Sequence, residues 1–286
     1  MDANAPDNSQ KLLNTWDYVI FALSIAISLG IGVYYAIVNK WKNNTEEYLV
    51  GGRSMSFAPT AISTMVSFQS AITMLGIPAE SYCFGLQYIW YSMGMCASTL
   101  IFADLVVNVL YPLKLTSVYE YLGLRFESKA VRLLGSGIGT FSNMIYMGLV
   151  SFAPAVALEA VTGYPVWNSI IVTTIAAVIY TSIGGLKAVI WTDVFQSCVM
   201  MSMVFVILIK GTISVGGPKQ VWDIAQSSGR MNFWNFDPDP TVRHTFWNLV
   251  IGSFWGGLNY LMNNSSVQRI SCTKTASEAK RFLRLL

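Results

Sequence analysis

Long, mostly apolar stretches recur along this chain, and they limit its fold more than any other feature. The hydrocarbon core of a bilayer is about 30 Å thick, and a helix needs about 20 apolar residues to cross it. Of all residues, 53% are hydrophobic and 12% are charged, whereas a soluble domain has about 25% charged residues. The sequence therefore predicts an all-α, polytopic membrane protein. Seven predicted spans run approximately over Tyr18–Val38, Phe57–Ile77, Leu86–Leu110, Val131–Ala160, Val166–Ile183, Ala188–Ile213 and Phe246–Met262.

The distribution of lysine and arginine predicts how the chain is oriented. Cytoplasmic loops retain an excess of positive charge. With the N-terminus outside, 13 of the 18 Lys and Arg residues fall on the cytoplasmic side, and this group includes Arg269. We therefore predict a multi-pass plasma-membrane protein with an extracellular N-terminus and a cytoplasmic C-terminal end. The net charge of +3 is explained by this topology, and it indicates no nucleic-acid partner.

Two of the predicted spans contain residues that interrupt helices. Gly76-Ile77-Pro78 predicts an early end of the second span, and three glycines within Gly252–Tyr260 weaken the seventh. In hydrocarbon, a broken helix survives only where it faces protein or a water-filled cavity. Secondary transporters place such helices at corresponding positions of two inverted repeats. The spacing of five helices favours a transporter over a seven-helix receptor, although packing alone is an alternative for either break.

Polar side chains lie beside the first predicted break. Ser67, Gln69, Ser70 and Thr73 occur within an otherwise apolar stretch, and Gln69 and Thr73 are four residues apart on one helix face. Hydroxyl groups and unwound backbone carbonyls are oxygen ligands that suit a dehydrated sodium ion. This stripe therefore predicts a polar surface inside the bundle.

A carboxylate within a membrane helix costs roughly 2.5–3.5 kcal/mol on insertion scales, so it usually faces the bundle or pairs with a cation. Asp193, with Gln196 three residues later, fits an ion site, while helix capping or pairing with Lys187 is the alternative. For Asp104 the sequence gives two alternatives, a role in an ion path and a contact with Asn108 four residues later. Glu80 and Glu159 are expected to be solvated near the outer boundary. The one histidine, His244, is interpreted as a boundary residue beside Arg243, and no enzyme motif surrounds it.

Several longer motifs resemble the sodium/solute symporter family. Within that family the sequence is similar to the branch that contains sodium-coupled monocarboxylate transporters, the multivitamin transporter and the sodium/iodide symporter. The resemblance covers nearly all of the chain. Its motifs are GGLKAVIWTDVFQ (Gly184–Gln196), LTSVYEYLGLRF (Leu115–Phe126), APAVALEAVTG (Ala153–Gly163), FQSAITMLGIPAESYCFGL (Phe68–Leu86) and VQR after the seventh span.

The resemblance implies secondary active transport on a five-plus-five inverted-repeat scaffold with an extra N-terminal helix. On this scheme the chain divides into an extracellular N-terminus (1–17), the extra helix (18–38), five helices of repeat one (57–213), an extracellular loop (214–245), the first helix of repeat two (246–264) and a cytoplasmic end (265–286). Family members continue for several more helices. We therefore expect an incomplete carrier, with a non-transporting fragment or association with a full-length carrier as further alternatives.

The resemblance also implies the site residues. It places Ser67, Asp193 and Gln196 around one sodium ion, and Ser70 and Tyr146 near a second. It places Phe68, Thr73, Ser92, Met95 and Tyr260 around the substrate, beside Gln69 of the polar stripe.

The expected partners are the lipid bilayer, Na+ as coupling ion and a small organic anion, and no other cofactor is expected. A monocarboxylate is the favoured cargo, with biotin-like or pantothenate-like vitamins as the alternative. Iodide carriers have glutamine in place of Thr73 and Met95, which argues against iodide. The seventh span departs from the family pattern, since relatives usually read Tyr-Gly-Val-Asn-Gln where this chain has Tyr260 to Asn264.

Overall fold

The computed structural model describes residues 14–39 and 45–284. Most of the predicted extracellular N-terminus, together with Lys11, Lys40 and Lys42 of the charge argument, lies outside the described residues. The described part is almost entirely helical, as expected. Its α-helices are α1 (Thr15–Asn39), α2 (Thr45–Val50), α3 (Phe57–Phe68), α4 (Ala71–Phe84), α5 (Ile89–Leu110), α6 (Val118–Phe126), α7 (Lys129–Thr162), α8 (Val166–Val215), α9 (Pro218–Ser227), α10 (Phe246–Met262), α11 (Asn264–Cys272) and α12 (Ala276–Leu283).

Within residues 14–39 and 45–284, four helical segments are long and apolar enough to cross a membrane: α1, α7, α8 and the stretch Leu86–Leu110 that contains α5. The bent pair α3 and α4 adds a fifth if it forms one span. Helix α8 has 50 residues, which at 1.5 Å per residue is about 75 Å, far more than one bilayer crossing. Its backbone is non-helical at Gly185 (φ 65°, ψ −168°), between the two spans predicted on either side. The total of seven spans stays a prediction.

The break in the second predicted span lies earlier than the sequence suggested. Gln69 (ψ 86°) and Ser70 (ψ 166°) are non-helical, and the helices on either side are bent by 60°. Ser70 caps α4 by accepting a hydrogen bond from Thr73 N at 3.3 Å. The prediction of a break at Gly76-Ile77-Pro78 is wrong, because α4 continues through Pro78 to Phe84. Inside a membrane bundle, neighbouring groups can satisfy the one carbonyl that a proline leaves free.

The glycines of the seventh span do not interrupt it either. Helix α10 is continuous over the predicted bounds, and the chain leaves helical geometry only at Asn263 (ψ 143°). Two glycines, one on α10 and one on α5, allow these two helices to pack closely. A methyl group on Gly257 would overlap Ser98 of α5, and one on Gly94 of α5 would overlap Ser253 and the carbonyl of Val250.

The main apolar core joins α5 to α10 and α12. Val106, Val107 and Leu110 of α5 pack with Leu261 of α10 and Phe282 of α12, and all five side chains are at most 2% exposed. The predicted cytoplasmic end therefore carries a helix that packs against the bundle. By contrast, long apolar side chains on α1 and α7 are exposed, as expected for surfaces that face lipid.

Candidate functional site

An open cavity of about 850 Å³ lies beside the break between α3 and α4. This volume is within the range of about 300–1,000 Å³ that is usual for small-molecule sites. Its wall is mostly apolar and is built by α3, α4, α5, α10 and the loop before α10. The structure brings all six residues predicted for the substrate to this one cavity: Phe68, Gln69, Thr73, Ser92, Met95 and Tyr260.

Aromatic rings and hydroxyl groups are arranged closely along this wall. The ring of Phe68 meets that of Tyr260 edge to face, with centroids 4.5 Å apart and planes at 84°. Ser70 Oγ lies 3.2 Å from Thr73 Oγ1 at the start of α4. Tyr91, which the sequence analysis did not single out, also lines the cavity. A mostly apolar wall with a few convergent polar groups can hold a small molecule and orient its polar end.

Asp193 lies in a buried network that the sequence analysis missed. Its Oδ2 accepts a hydrogen bond from Ser63 Oγ at 2.6 Å and lies 3.1 Å from Arg269 Nη2. The same guanidinium donates to Ser67 Oγ at 2.6 Å and to Ser63 Oγ at 2.9 Å, and it also bonds Ser265. The side chains of Asp193 and Arg269 are only 14% and 5% exposed. The ion pair thus joins α8 to α11, and the hydrogen bonds of Ser63 and Ser67 join α3 to both.

Arg269, one of the basic residues assigned to the cytoplasmic side, is only 4% exposed. It lies on α11, a short helix whose residues Ser266, Val267, Ile270 and Cys272 are buried. The alternative that Asp193 pairs with Lys187 is wrong, because Lys187 pairs with Glu47 of α2. The guanidinium therefore compensates the Asp193 carboxylate at the point where a sodium ion was predicted.

The other three residues predicted around sodium make no hydrogen bond to Asp193 or Arg269 among the described residues. Ser70 caps α4, and Gln196 is exposed on α8, near Tyr180. Tyr146 lies on α7 and is 53% exposed. Within the described part of the chain, no hydrogen bond joins Gln196 or Tyr146 to Asp193. Of the five residues, Ser67 and Asp193 share Arg269 as a hydrogen-bond partner, and Asp193 and Gln196 both lie near Tyr180.

Glu80 also contributes to the cavity wall and is not simply solvated. Its carboxylate accepts a hydrogen bond from Arg243 Nε at 2.9 Å and lies 3.0 Å from His244 Nε2. The side chain of His244, interpreted as a boundary residue beside Arg243, is 8% exposed and is therefore packed among its neighbours. Asp104 lies on α5 and pairs with Arg284 at 2.6 Å, which leaves its predicted contact with Asn108 without support.

Comparison with known proteins agrees with this architecture. The profile of the Sodium:solute symporter family matches residues 48–282. Most of the chain is covered by that match, and the chain therefore belongs to the sodium:solute symporter family. It is similar in fold to a solved structure of a Na+-coupled sialic acid symporter in a substrate-bound outward-open state, with a TM-score of 0.85 over 94% of this chain and 57% of that one, at 24% identity.

Curated relatives in the family include carriers of different solutes. The chain is 42% identical to the human Sodium/iodide cotransporter over 93% of its length, and 42% identical to Sodium-coupled monocarboxylate transporter 1 of Xenopus laevis over 94%. It is 44% identical to the Sodium-dependent multivitamin transporter of Oryctolagus cuniculus over 96%. These matches cover 41%, 43% and 44% of the respective relatives. The chain thus spans about two-fifths of the length of the curated relatives it matches.

Proposed function

We propose that this chain carries solute- and sodium-binding residues of a plasma-membrane symporter that couples Na+ to the uptake of a small monocarboxylate. The observation that carries the proposal is the cavity beside Gln69–Ser70, where six residues predicted for the substrate meet. Helix breaks of this kind free backbone groups for a substrate or an ion at the centre of a carrier.

The charges of the cavity require that a bound anion is accompanied by a cation. Among its described lining residues no lysine or arginine is present, and the charged one is Glu80, which is already paired with Arg243. A bound carboxylate therefore needs a positive charge from elsewhere, because an uncompensated charge is costly in a site of low polarity. A co-bound sodium ion supplies that charge, and this gives a physical reason for coupling.

We place one sodium ion against Ser67 and Asp193. Both side chains offer oxygen atoms, and in the present structure both contact the Arg269 guanidinium. Sodium and guanidinium are both cations, so they compete for the same carboxylate. The proposal therefore requires Arg269 to move away from Asp193 when sodium binds. The assignments of Ser70, Tyr146 and Gln196 to sodium remain part of the proposal.

A vitamin carboxylate is the second candidate cargo. A cavity of about 850 Å³ is much larger than a two- to four-carbon acid requires, and aromatic residues such as Phe68, Tyr88 and Tyr260 line it. Apolar and aromatic walls suit a longer ligand with a ring or an alkyl chain. The same cavity therefore supports biotin or pantothenate as the alternative to a short monocarboxylate.

The test measures binding of radiolabelled butyrate, pyruvate, biotin and iodide to the chain in lipid nanodiscs, with sodium or choline as the cation. We expect sodium-dependent binding of butyrate and pyruvate, and none of iodide. Binding of biotin alone would favour the vitamin alternative. A folded, monodisperse preparation that binds none of the four in a sodium-dependent way would overturn the proposal.

A matched pair of variants tests the ion site. Asp193→Asn removes the buried carboxylate, and we expect sodium dependence to be lost. Asp104→Asn makes the same chemical change on the exposed pair with Arg284, and sodium dependence should persist. If both variants keep the sodium dependence of binding, Asp193 is not part of the ion path.

A further inference from the structure

Glu80, Arg243 and His244 form a charged cluster that reaches the cavity through Glu80, and we call it the mouth cluster. Glu80 of α4 lines the cavity, and the other two residues precede α10 in the chain. Arg243 Nε donates to Glu80 Oε1 at 2.9 Å, and His244 Nε2 lies 3.0 Å from the same oxygen. One carboxylate oxygen thus contacts both a permanently charged guanidinium and the single histidine of the chain.

The histidine is held firmly in this position. Its ring lies between those of Phe84 and Tyr88, each with a centroid distance of 5.7 Å. Its backbone has φ +58°, a left-handed conformation that is uncommon for residues other than glycine. The next residue, Thr245, is 1% exposed and caps α10 by accepting a hydrogen bond from Asn248 N at 3.2 Å. The two ring contacts and the capped backbone beside it therefore hold the imidazole next to Glu80.

The segment before α10 is also fastened to the cavity wall elsewhere. The carbonyl of Arg230 accepts a hydrogen bond from Leu86 N at 3.0 Å, and that of Phe233 accepts one from Trp90 Nε1 at 2.6 Å. Both Leu86 and Phe233 line the cavity. The segment that carries Arg243 and His244 is therefore held against the cavity wall.

The titratable groups that face His244 can be named from each neighbouring element. Helix α4 contributes Glu80, the turn before α5 contributes Tyr88, and Arg243 precedes His244 in the chain. Among the described residues, His244 Nδ1 is buried without a hydrogen-bond partner. With a neutral imidazole, the charges of Glu80 and Arg243 cancel. With a protonated imidazole, the mouth cluster carries one net positive charge.

We infer that His244 is a specificity-determining residue, whose protonation makes the cavity mouth positive and strengthens the binding of an anionic solute. This inference rests on the proposed function, since it needs an anion in the cavity. Histidine is the side chain that ordinarily changes charge between about pH 5 and pH 8. A positive charge several ångströms from a bound anion, partly screened by solvent, favours binding by roughly threefold.

The experiment measures the dissociation constant of pyruvate in saturating sodium at about pH 6 and about pH 8, a range that brackets histidine titration. Pyruvate stays ionised throughout this range. We expect the wild-type chain to bind roughly threefold more tightly at the lower pH. In His244→Gln, which keeps a polar side chain but cannot be protonated, the two dissociation constants should be equal and close to the wild-type value at the higher pH.

A second measurement avoids any variant. Pyruvamide has nearly the shape of pyruvate but no charge, so its binding to the wild-type chain should not change between the two pH values. Equal affinity of the wild-type chain for pyruvate at both pH values would overturn the inference, as would a pH effect that persists in His244→Gln or extends to pyruvamide. Absence of sodium-dependent pyruvate binding at both pH values would overturn the proposed function itself, and this inference with it.

Discussion

The guanidinium of Arg269 lies 3.1 Å from the carboxylate of Asp193, and both side chains are largely buried. A second arginine–aspartate pair, Arg284 with Asp104, is shorter at 2.6 Å but is half exposed. Water screens the exposed pair, whereas a charge left alone in the buried position has few other partners. Because it is buried, the longer contact between Arg269 and Asp193 should contribute more to the stability of the fold than the shorter, exposed one.

The two pairs predict different effects on stability. Arg269→Gln leaves the buried Asp193 carboxylate without its counter-charge and should destabilise the fold by about 3–5 kcal/mol. Arg284→Gln should cost less than about 1 kcal/mol. The measurement is the free energy of unfolding of each variant in lipid nanodiscs. The double variant Arg269→Gln with Asp193→Asn should recover much of the loss, and strictly additive effects would show that the pair is not coupled.

Two glycine-to-alanine substitutions, at Gly94 and at Gly252, should differ in their effect on stability. In Gly94→Ala the new methyl group would overlap Ser253 Oγ and the Val250 carbonyl, where α5 and α10 are in close contact. Overpacking of this kind typically costs about 1–3 kcal/mol. Gly252→Ala on α10 is the matched control, because its added methyl group would meet no described atom within 4 Å beyond its chain neighbours and the backbone of its own helix turn. We expect a lower unfolding temperature for the first variant and no loss for the second, and equal unfolding temperatures would contradict this packing.

Cys272 predicts a pH-dependent difference in chemical reactivity. Burial raises the pKa of the Cys272 thiol from 9.0 to about 11, and the side chain is 0% exposed. Only the thiolate reacts with maleimides, so two pKa units make the native thiol roughly a hundredfold less ionised than an unfolded one at about pH 8. The rate at which Cys272 reacts with a maleimide should keep rising with pH up to about 11 in the folded chain. After unfolding, the same rate should level off above 9.0.

Pulsed labelling with N-ethylmaleimide followed by mass spectrometry measures this rate. Cys83 is exposed and serves as the internal comparison in the same molecule. The expected result at about pH 8 is labelling of Cys272 that is far slower than that of Cys83 in the folded chain, and similar rates for the two thiols once the chain is unfolded in detergent. Labelling of both thiols at similar rates in the folded chain would show that α11 does not stay packed.

Much of the fold was predictable because a membrane span requires a long apolar run. The predicted bounds of α10 match the structure, and α1, α5 and α7 lie where hydropathy placed them. The helix break was misplaced because glycine and proline are read as interruptions from sequence alone. In the structure α4 tolerates Pro78, and the chain instead breaks at Gln69–Ser70, where a side chain caps the next helix.

The candidate site was only partly predictable, for a related reason. The polar stripe and the family motifs pointed to the cavity residues, because polar groups in an apolar span need a common interior surface. Arg269 gave no such signal, since it follows the last predicted span and resembles any basic residue of an inner loop. Its burial results from the packing of α11 against α2, α3 and α6, which a local pattern does not contain. The VQR motif was the one sequence feature that included it.

Tyr260 provides the most direct test of the cavity as a solute site. Its ring lies edge to face with that of Phe68, with centroids 4.5 Å apart, and both rings line the cavity. Aromatic pairs of this geometry contribute about 0.5–1.5 kcal/mol beyond their buried area. If the pair forms the wall against the solute, Tyr260→Ala should weaken sodium-dependent pyruvate binding by roughly two- to tenfold. Tyr260→Phe keeps the ring and should bind nearly as the wild type does, which separates the contribution of the ring from that of the hydroxyl.

A double-mutant cycle with Phe68→Ala, measured by equilibrium binding in nanodiscs, then decides whether the two rings act together. A coupling energy near zero would mean that each ring contacts the solute independently, and full binding by Tyr260→Ala would place the solute elsewhere.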